Sequence, residues 1–266
     1  MATLHGSMQT ASVRATQFHF DAQSLDTPLC ASDSWASSLI TGPTLQMSSV
    51  AYLPVPKAGS TFVRKSMSYA MNFKFDPASD MVCSGGGRAR KCHREAAGIS
   101  PENKLTADRL GRETKIFTFV AEPFERMQHG IVQELFYQGE LFYQGGVDPA
   151  AVRLEMVAHA GLPKGCLAPH VAPQASHILR ALGDRRLSYL FHLEDGHVEQ
   201  HLSKVLNAST TRYTSLLRGT RRPTRLRFDG PVLHWQNFTT LERVVICRFL
   251  EVDYVTLSYD WPSECS

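Results

Sequence analysis

Lys57, Gly59, Ser60 and Thr61 lie within one short stretch, Val55-Pro56-Lys57-Ala58-Gly59-Ser60-Thr61-Phe62-Val63-Arg64. Together they carry the groups that hold an anion. A full positive charge, a glycine that lets the backbone come close, and two hydroxyl donors suit a phosphate or sulfate. An apolar run, Val50-Ala51-Tyr52-Leu53, precedes them, and a segment able to be helical, 62–72, follows. The order predicts strand, tight loop and helix N-terminus, where free backbone N–H groups and the helix dipole favour negative charge. A Walker loop needs its lysine after the second glycine; here the lysine comes before the only one, which disfavours an ordinary ATPase or GTPase.

The elements that must position this loop follow from periodicity. Lys115 to Val120 is an apolar run that reads as a central strand, and Pro123 opens a helix continuing to Tyr137. Asp148-Pro149 opens another helix, to about His159. Leu187 to Leu193 reads as a third strand, Glu194 to Leu206 as the helix after it, and Leu241 to Leu250 as the last helix. Strands alternating with helices predict an α/β fold with a parallel sheet covered on both faces. Residues 1–48 are rich in Ser, Thr, Ala and Gln and read as an irregular arm, with the folded domain over 49–266. Asp76 to Glu113, with its Gly85-Gly86-Gly87, reads as a long surface excursion. The repeat Leu135-Phe136-Tyr137 and Leu141-Phe142-Tyr143 reads as core and helix end, or as part of a groove in which rings stack on sugars.

The 266 residues are 43% hydrophobic and 20% charged, a composition for a sizeable core. A net charge of +3 gives no argument for nucleic acid as a partner. Six arginines between Arg212 and Arg227, with no acid among them, form either a solvated basic loop or a clamp for anionic groups. No run approaches the roughly 18 to 20 apolar residues of a membrane helix, and the first residues lack the basic-then-apolar order of a leader. The expectation is a protein outside the membrane, or one whose anchor lies outside this chain. Six cysteines show no metal spacing. Cys83 and Cys92 are either a disulfide or two scattered buried thiols. Asn207-Ala208-Ser209 and Asn237-Phe238-Thr239 are glycosylation sequons.

The order Pro-Lys-x-Gly-Ser-Thr-x-x-Arg resembles the 5′-phosphosulfate loop of the sulfotransferases. Phe117-Thr118-Phe119-Val120-Ala121-Glu122-Pro123-Phe124-Glu125-Arg126 resembles their second signature, which holds the donor's 3′-phosphate. Pro169 to Gln174, Tyr189 to Asp195, and Val252 to Tyr259 are similar to three further stretches of the Golgi carbohydrate sulfotransferases, so the likeness runs over roughly residues 50 to 260.

The resemblance implies a P-loop-like three-layer fold and transfer of a sulfuryl group from 3′-phosphoadenosine 5′-phosphosulfate to a carbohydrate hydroxyl, without a metal. It implies that Pro56, Lys57, Ala58, Gly59, Ser60, Thr61 and Arg64 bind the donor, with Glu122 and His129 at its other end. Lys57 would stabilise the leaving phosphate, and His170 is the first choice of base because imidazole titrates near neutrality; Glu122 and His93 come after it. Glu194 would orient a loop or cap a helix. Two positions depart from the pattern: Ala121 stands for an arginine and His129 for a serine. Alanine cannot supply a guanidinium fork, so a degenerate binding or scaffold protein is the rival reading, with a small-molecule kinase behind it. The resemblance places the protein in the Golgi lumen or secretory pathway; a soluble or cytoplasmic one is the alternative. Oligomeric state stays open.

Overall fold

A computed structural model describes residues 45–47, 50–60, 62–63, 66–67, 74–76, 81–84, 91–92, 110–137, 148–162, 170–206 and 233–266. Outside them lie residues 1–44, Thr61, Arg64, His93, the arginine run at 212–227, the Asn207 sequon and the second half of the aromatic repeat.

The fold is α/β. Strands β1 (Leu45–Met47), β2 (Val50–Tyr52), β6 (Lys115–Val120) and β7 (Tyr189–His192) form one sheet in that spatial order. β2, β6 and β7 run parallel, and β1 adds an antiparallel edge. That edge strand falls within the stretch read from sequence as an irregular arm; its three residues are too few to show a period. The helices are α1 (Pro123–Tyr137), α2 (Pro149–Ala160), α3 (Gln174–Leu182), α4 (Val198–Leu206) and α5 (Thr240–Thr256). No helix among the described residues is long and apolar enough to cross a membrane.

Alternation along the strands sends side chains to opposite faces. Tyr52, Phe117, Phe119 and Phe191 pack on one face with Val63, Met67 and the α4 residues Leu202, Val205 and Leu206. Ala51, Ile116 and Val120 pack on the other with Ala175, Ile178 and Leu182 of α3. A third cluster joins α1, α2 and α5 through Met127, Ile131, Met156, Phe249 and Leu250. Both faces of the parallel strands are therefore covered, as such sheets require. Buried Thr118 satisfies its hydroxyl on the Leu53 carbonyl at 2.7 Å, tying β6 to the end of β2.

Short β3 (Lys74–Asp76), β4 (Met81–Ser84) and β5 (Lys91–Cys92) form a separate antiparallel sheet within the predicted surface excursion. Its register sets Cys83 directly opposite Cys92. A disulfide that sequence reading did not single out joins Cys247 of α5 to Cys265, with Cα atoms 5.6 Å apart. The chain after β7 also departs from expectation. Leu193–Asp195 is a 3₁₀ turn closed by Gly196 at φ +70°, so the predicted helix starts only at Val198.

Candidate functional site

The three parallel strands end on the same side, and each end carries residues singled out from the sequence. In open α/β sheets this is the side on which ligands bind. After β2 the chain passes through Leu53 and Pro54 into a turn at Pro56 to Gly59, closed by the Ala58 N–H on the Val55 carbonyl at 3.2 Å. Lys57 and Gly59 both lie in the left-handed region, at φ +64° and +66°. Glycine enters that region freely, whereas lysine does so at a cost that the surrounding contacts must cover. Helical residues begin at Ser60, and the Val63 N–H reaches the Gly59 carbonyl at 3.1 Å. The strand, loop and helix start expected from sequence is present. A Cβ added to Gly59 would come 3.2 Å from the Leu193 side chain, so the loop sits tightly on the end of β7.

Arg126 braces the loop from below. Its guanidinium is buried in α1, and its Nε donates to the Pro56 carbonyl at 2.9 Å. Burial lowers its pKa to about 10, against the pull of the Asp253 carboxylate. Ala58 is fully buried, while Pro56, Lys57 and Ser60 are half-buried. Burial also lowers the Lys57 pKa, to about 8; the Glu134 charge opposes that shift and the Arg126 charge adds to it. Lys57 is therefore easier to deprotonate than an exposed lysine.

Helix α1 carries the groups that face the loop at helical spacing: Arg126, His129 and Glu134. His129 lies at the surface of α1; desolvation against its neighbours, and then the Lys57 charge, hold it below the ordinary imidazole range. His170 sits beside the same helix. Its Nδ1 lies 2.7 Å from Glu134 Oε1, and its Nε2 lies 3.3 Å from the Gln133 amide nitrogen. An ionised carboxylate only accepts, so Nδ1 carries the proton and Nε2 offers the lone pair. Gly130 makes this closeness possible, because a Cβ there would stand 2.1 Å from the His170 carbonyl oxygen.

The end of β6 is held by a separate polar network. Gln174 grips the Ala121 backbone on both sides, its Oε1 accepting from the N–H at 2.9 Å and its Nε2 donating to the carbonyl at 2.7 Å. Fully buried Asp253 on α5 accepts the N–H groups of Gln174 and Ala175 at 2.9 and 2.7 Å, capping α3 from across the fold. Glu122 caps α1 by accepting the Glu125 N–H at 2.7 Å, and it accepts the Tyr254 hydroxyl as well. Glu194 accepts the Glu122 N–H and, at 3.3 Å, the Tyr259 hydroxyl. Burial raises the Glu122 pKa, while the Tyr254 hydrogen bond opposes the rise.

The structure thus divides the expected residues into two groups. Lys57 and His170 meet at Glu134 beside the loop, and His129 lies within reach of the Lys57 charge. Glu122 and Glu194 belong to the network that fixes the strand ends. Sequence reading missed Arg126, Glu134, Gln133 and Gly130 as parts of the site; the signal available was their spacing of three and four on a helix that follows a central strand. A cleft of ≈ 230 Å³ lined by Phe62, Gly196, His197, Val198, Glu199 and Gln200 opens at the helix that follows the loop. Among the described residues no group of three or more His, Cys, Asp or Glu side chains is placed to hold a metal ion. No protein-family model, no curated protein and no solved structure matches this chain.

Proposed function

We propose that this chain is a sulfotransferase on a P-loop-like fold, moving a sulfuryl group from 3′-phosphoadenosine 5′-phosphosulfate to a carbohydrate hydroxyl. The observation that carries the proposal is the loop itself. Lys57 and Gly59 turn through the left-handed region at the carboxyl end of a parallel strand, directly before a helix start. A half-buried lysine beside such a loop and helix start is a setting that suits a phosphate. The stretches that carry the sulfotransferase resemblance meet around the ends of β6 and β7, which gives the resemblance a spatial counterpart.

In the reaction, the acceptor oxygen attacks sulfur in line, the bond from sulfur to the 5′-phosphate oxygen breaks, and the hydroxyl proton passes to a base. Lys57 offsets the charge that grows on the departing phosphate. His170 takes the proton at Nε2, with Glu134 fixing the tautomer at Nδ1. Gln133 must yield Nε2 for that step. The cleft at Phe62 offers an aromatic face beside His197, Glu199 and Gln200, a mixed lining that suits a sugar. The Cys247–Cys265 disulfide favours an oxidising compartment such as the Golgi lumen.

Calorimetric titration of the full chain with adenosine 3′,5′-bisphosphate tests the reading. Saturable binding that disappears in Lys57→Ala supports it, and the absence of heat at high protein concentration sinks it. Ala121 favours a second reading, a binding protein without transferase activity, because the family's arginine is missing there. Transfer of labelled sulfate to a mixed glycan pool separates the two. Binding without transfer selects the second.

A further inference from the structure

Helix α5 buries one face and leaves an ordered pattern on the other. Ile246, Leu250 and Asp253 point into the core. At about 100° per residue, Leu241, Val244, Arg248, Glu251 and Val255 fall on one stripe directly opposite. All five are exposed, Leu241 at 74%, Val244 at 42% and Val255 at 71%. Single exposed apolar side chains are ordinary; three on one stripe with heptad spacing are not.

The order along the stripe carries the inference. Val244, Arg248, Glu251 and Val255 are separated by four, three and four residues, a spacing that reads the same in both directions. The two central residues have opposite charge, and neither takes part in an ion pair among the described residues. Two copies of the helix laid antiparallel about a two-fold axis therefore match layer by layer. Val244 meets the partner's Val255, Arg248 meets the partner's Glu251, and the axis repeats both pairs. A two-fold interface must be self-complementary, and this stripe satisfies that in shape of pattern and in charge.

We propose that α5 is the interface of a homodimer, the occupant of its exposed stripe being the same stripe of a second copy. The seam is about four helical turns long, which puts it at the small end of specific interfaces, among the weak and transient ones. The same helix supplies Asp253 and Tyr254 to the network behind the candidate site, so the dimer would brace that network from outside.

Sedimentation velocity on the full chain, from micromolar to near-millimolar, tests the proposal. The wild type is expected to pass from monomer to dimer over that range. Arg248→Glu and Glu251→Arg, each singly, place like charges in both central layers and are expected to raise the dissociation constant by at least about tenfold. The double variant Arg248→Glu with Glu251→Arg restores opposite charges and is expected to restore the dimer. A wild type that stays monomeric throughout, or a double variant as monomeric as the single ones, overturns the proposal. Circular dichroism on each variant confirms that the surface changes leave the fold in place.

Discussion

The carboxylate of Glu134 accepts from Nδ1 of His170 at 2.7 Å, and its charge also acts on the amine of Lys57. One side chain thus sets the tautomer of the candidate base and the charge of the candidate anion-binding lysine. Burial lowers the Lys57 pKa to about 8, and Glu134 is what keeps it from falling further. Glu134→Gln keeps a hydrogen-bond acceptor but removes the charge.

Affinity for adenosine 3′,5′-bisphosphate should follow the protonated fraction of Lys57. In the wild type it should be full below pH 8 and decline as pH rises through about 8. In Glu134→Gln the same decline should begin at lower pH, and in Lys57→Ala the decline should vanish along with most of the affinity. Phosphate groups titrate near pH 6 and leave this window clear. Stability has the opposite sign. The fold penalises charged Lys57, so its contribution improves as pH rises from about 8 toward the unfolded value of 10.5. Calorimetry at a series of pH values checks the binding; an unchanged midpoint in Glu134→Gln would refute the coupling.

Gly130 is the position where α1 and the segment carrying His170 touch backbone to backbone. A methyl there would stand 2.1 Å from the His170 carbonyl oxygen and 2.8 Å from its carbon. The obstacle is backbone, so it cannot rotate away. Gly130→Ala gains about 1 kcal/mol of helix propensity, but overpacking of this kind costs about 1–3 kcal/mol or more, so a net loss is expected. Thermal denaturation should show a lower midpoint. A variant as stable as the wild type would mean that the His170 segment can shift away from α1 at little cost.

The parts of this architecture that sequence reveals are those with a local cause. Lys115 to Val120 carries four large apolar side chains and becomes the central strand; Pro123 opens α1; Asp148 caps α2 by accepting the Ala150 N–H at 2.9 Å. The loop at Val55 was legible because its residue types and order imply a backbone shape. Helix α3 was missed. Its N-terminus follows Pro173 and has no cap of its own, since the cap is Asp253, 79 residues away. Local capping rules cannot find a partner supplied by tertiary structure. The Gln174 grip on Ala121 and the pairing of Cys247 with Cys265 are hidden for the same reason, because both join segments whose meeting depends on the whole fold.

Asp253 carries two helix-terminal N–H bonds in a fully buried setting. Asp253→Ala leaves both groups without an acceptor and removes the carboxylate that acts on buried Arg126. A loss of about 2–4 kcal/mol is expected, combining a lost cap with unsatisfied buried donors. Asp253→Asn, which keeps one carbonyl oxygen, should lose less. Urea denaturation of the two variants gives the comparison; equal losses would show that charge rather than capping is what Asp253 supplies.

The Cys247–Cys265 bond closes a loop of 18 residues, and what it encloses reaches the site. Trp261 packs edge-on against Tyr254 at 5.6 Å, the Tyr259 N–H reaches the Tyr254 carbonyl at 3.0 Å, and the Tyr259 ring stacks on His192 at 4.3 Å. Tyr254 and Tyr259 in turn hold Glu122 and Glu194 at the strand ends. Replacing both cysteines by serine frees this segment in the unfolded chain, at a cost of about 3 kcal/mol for a loop of this size. Because the freed segment carries the two tyrosines, binding of adenosine 3′,5′-bisphosphate should weaken as well. The same two effects should follow from adding a dithiol reductant to the wild type. A double serine variant that matches the wild type in both midpoint and affinity would show that the C-terminal turn holds its place without the bond.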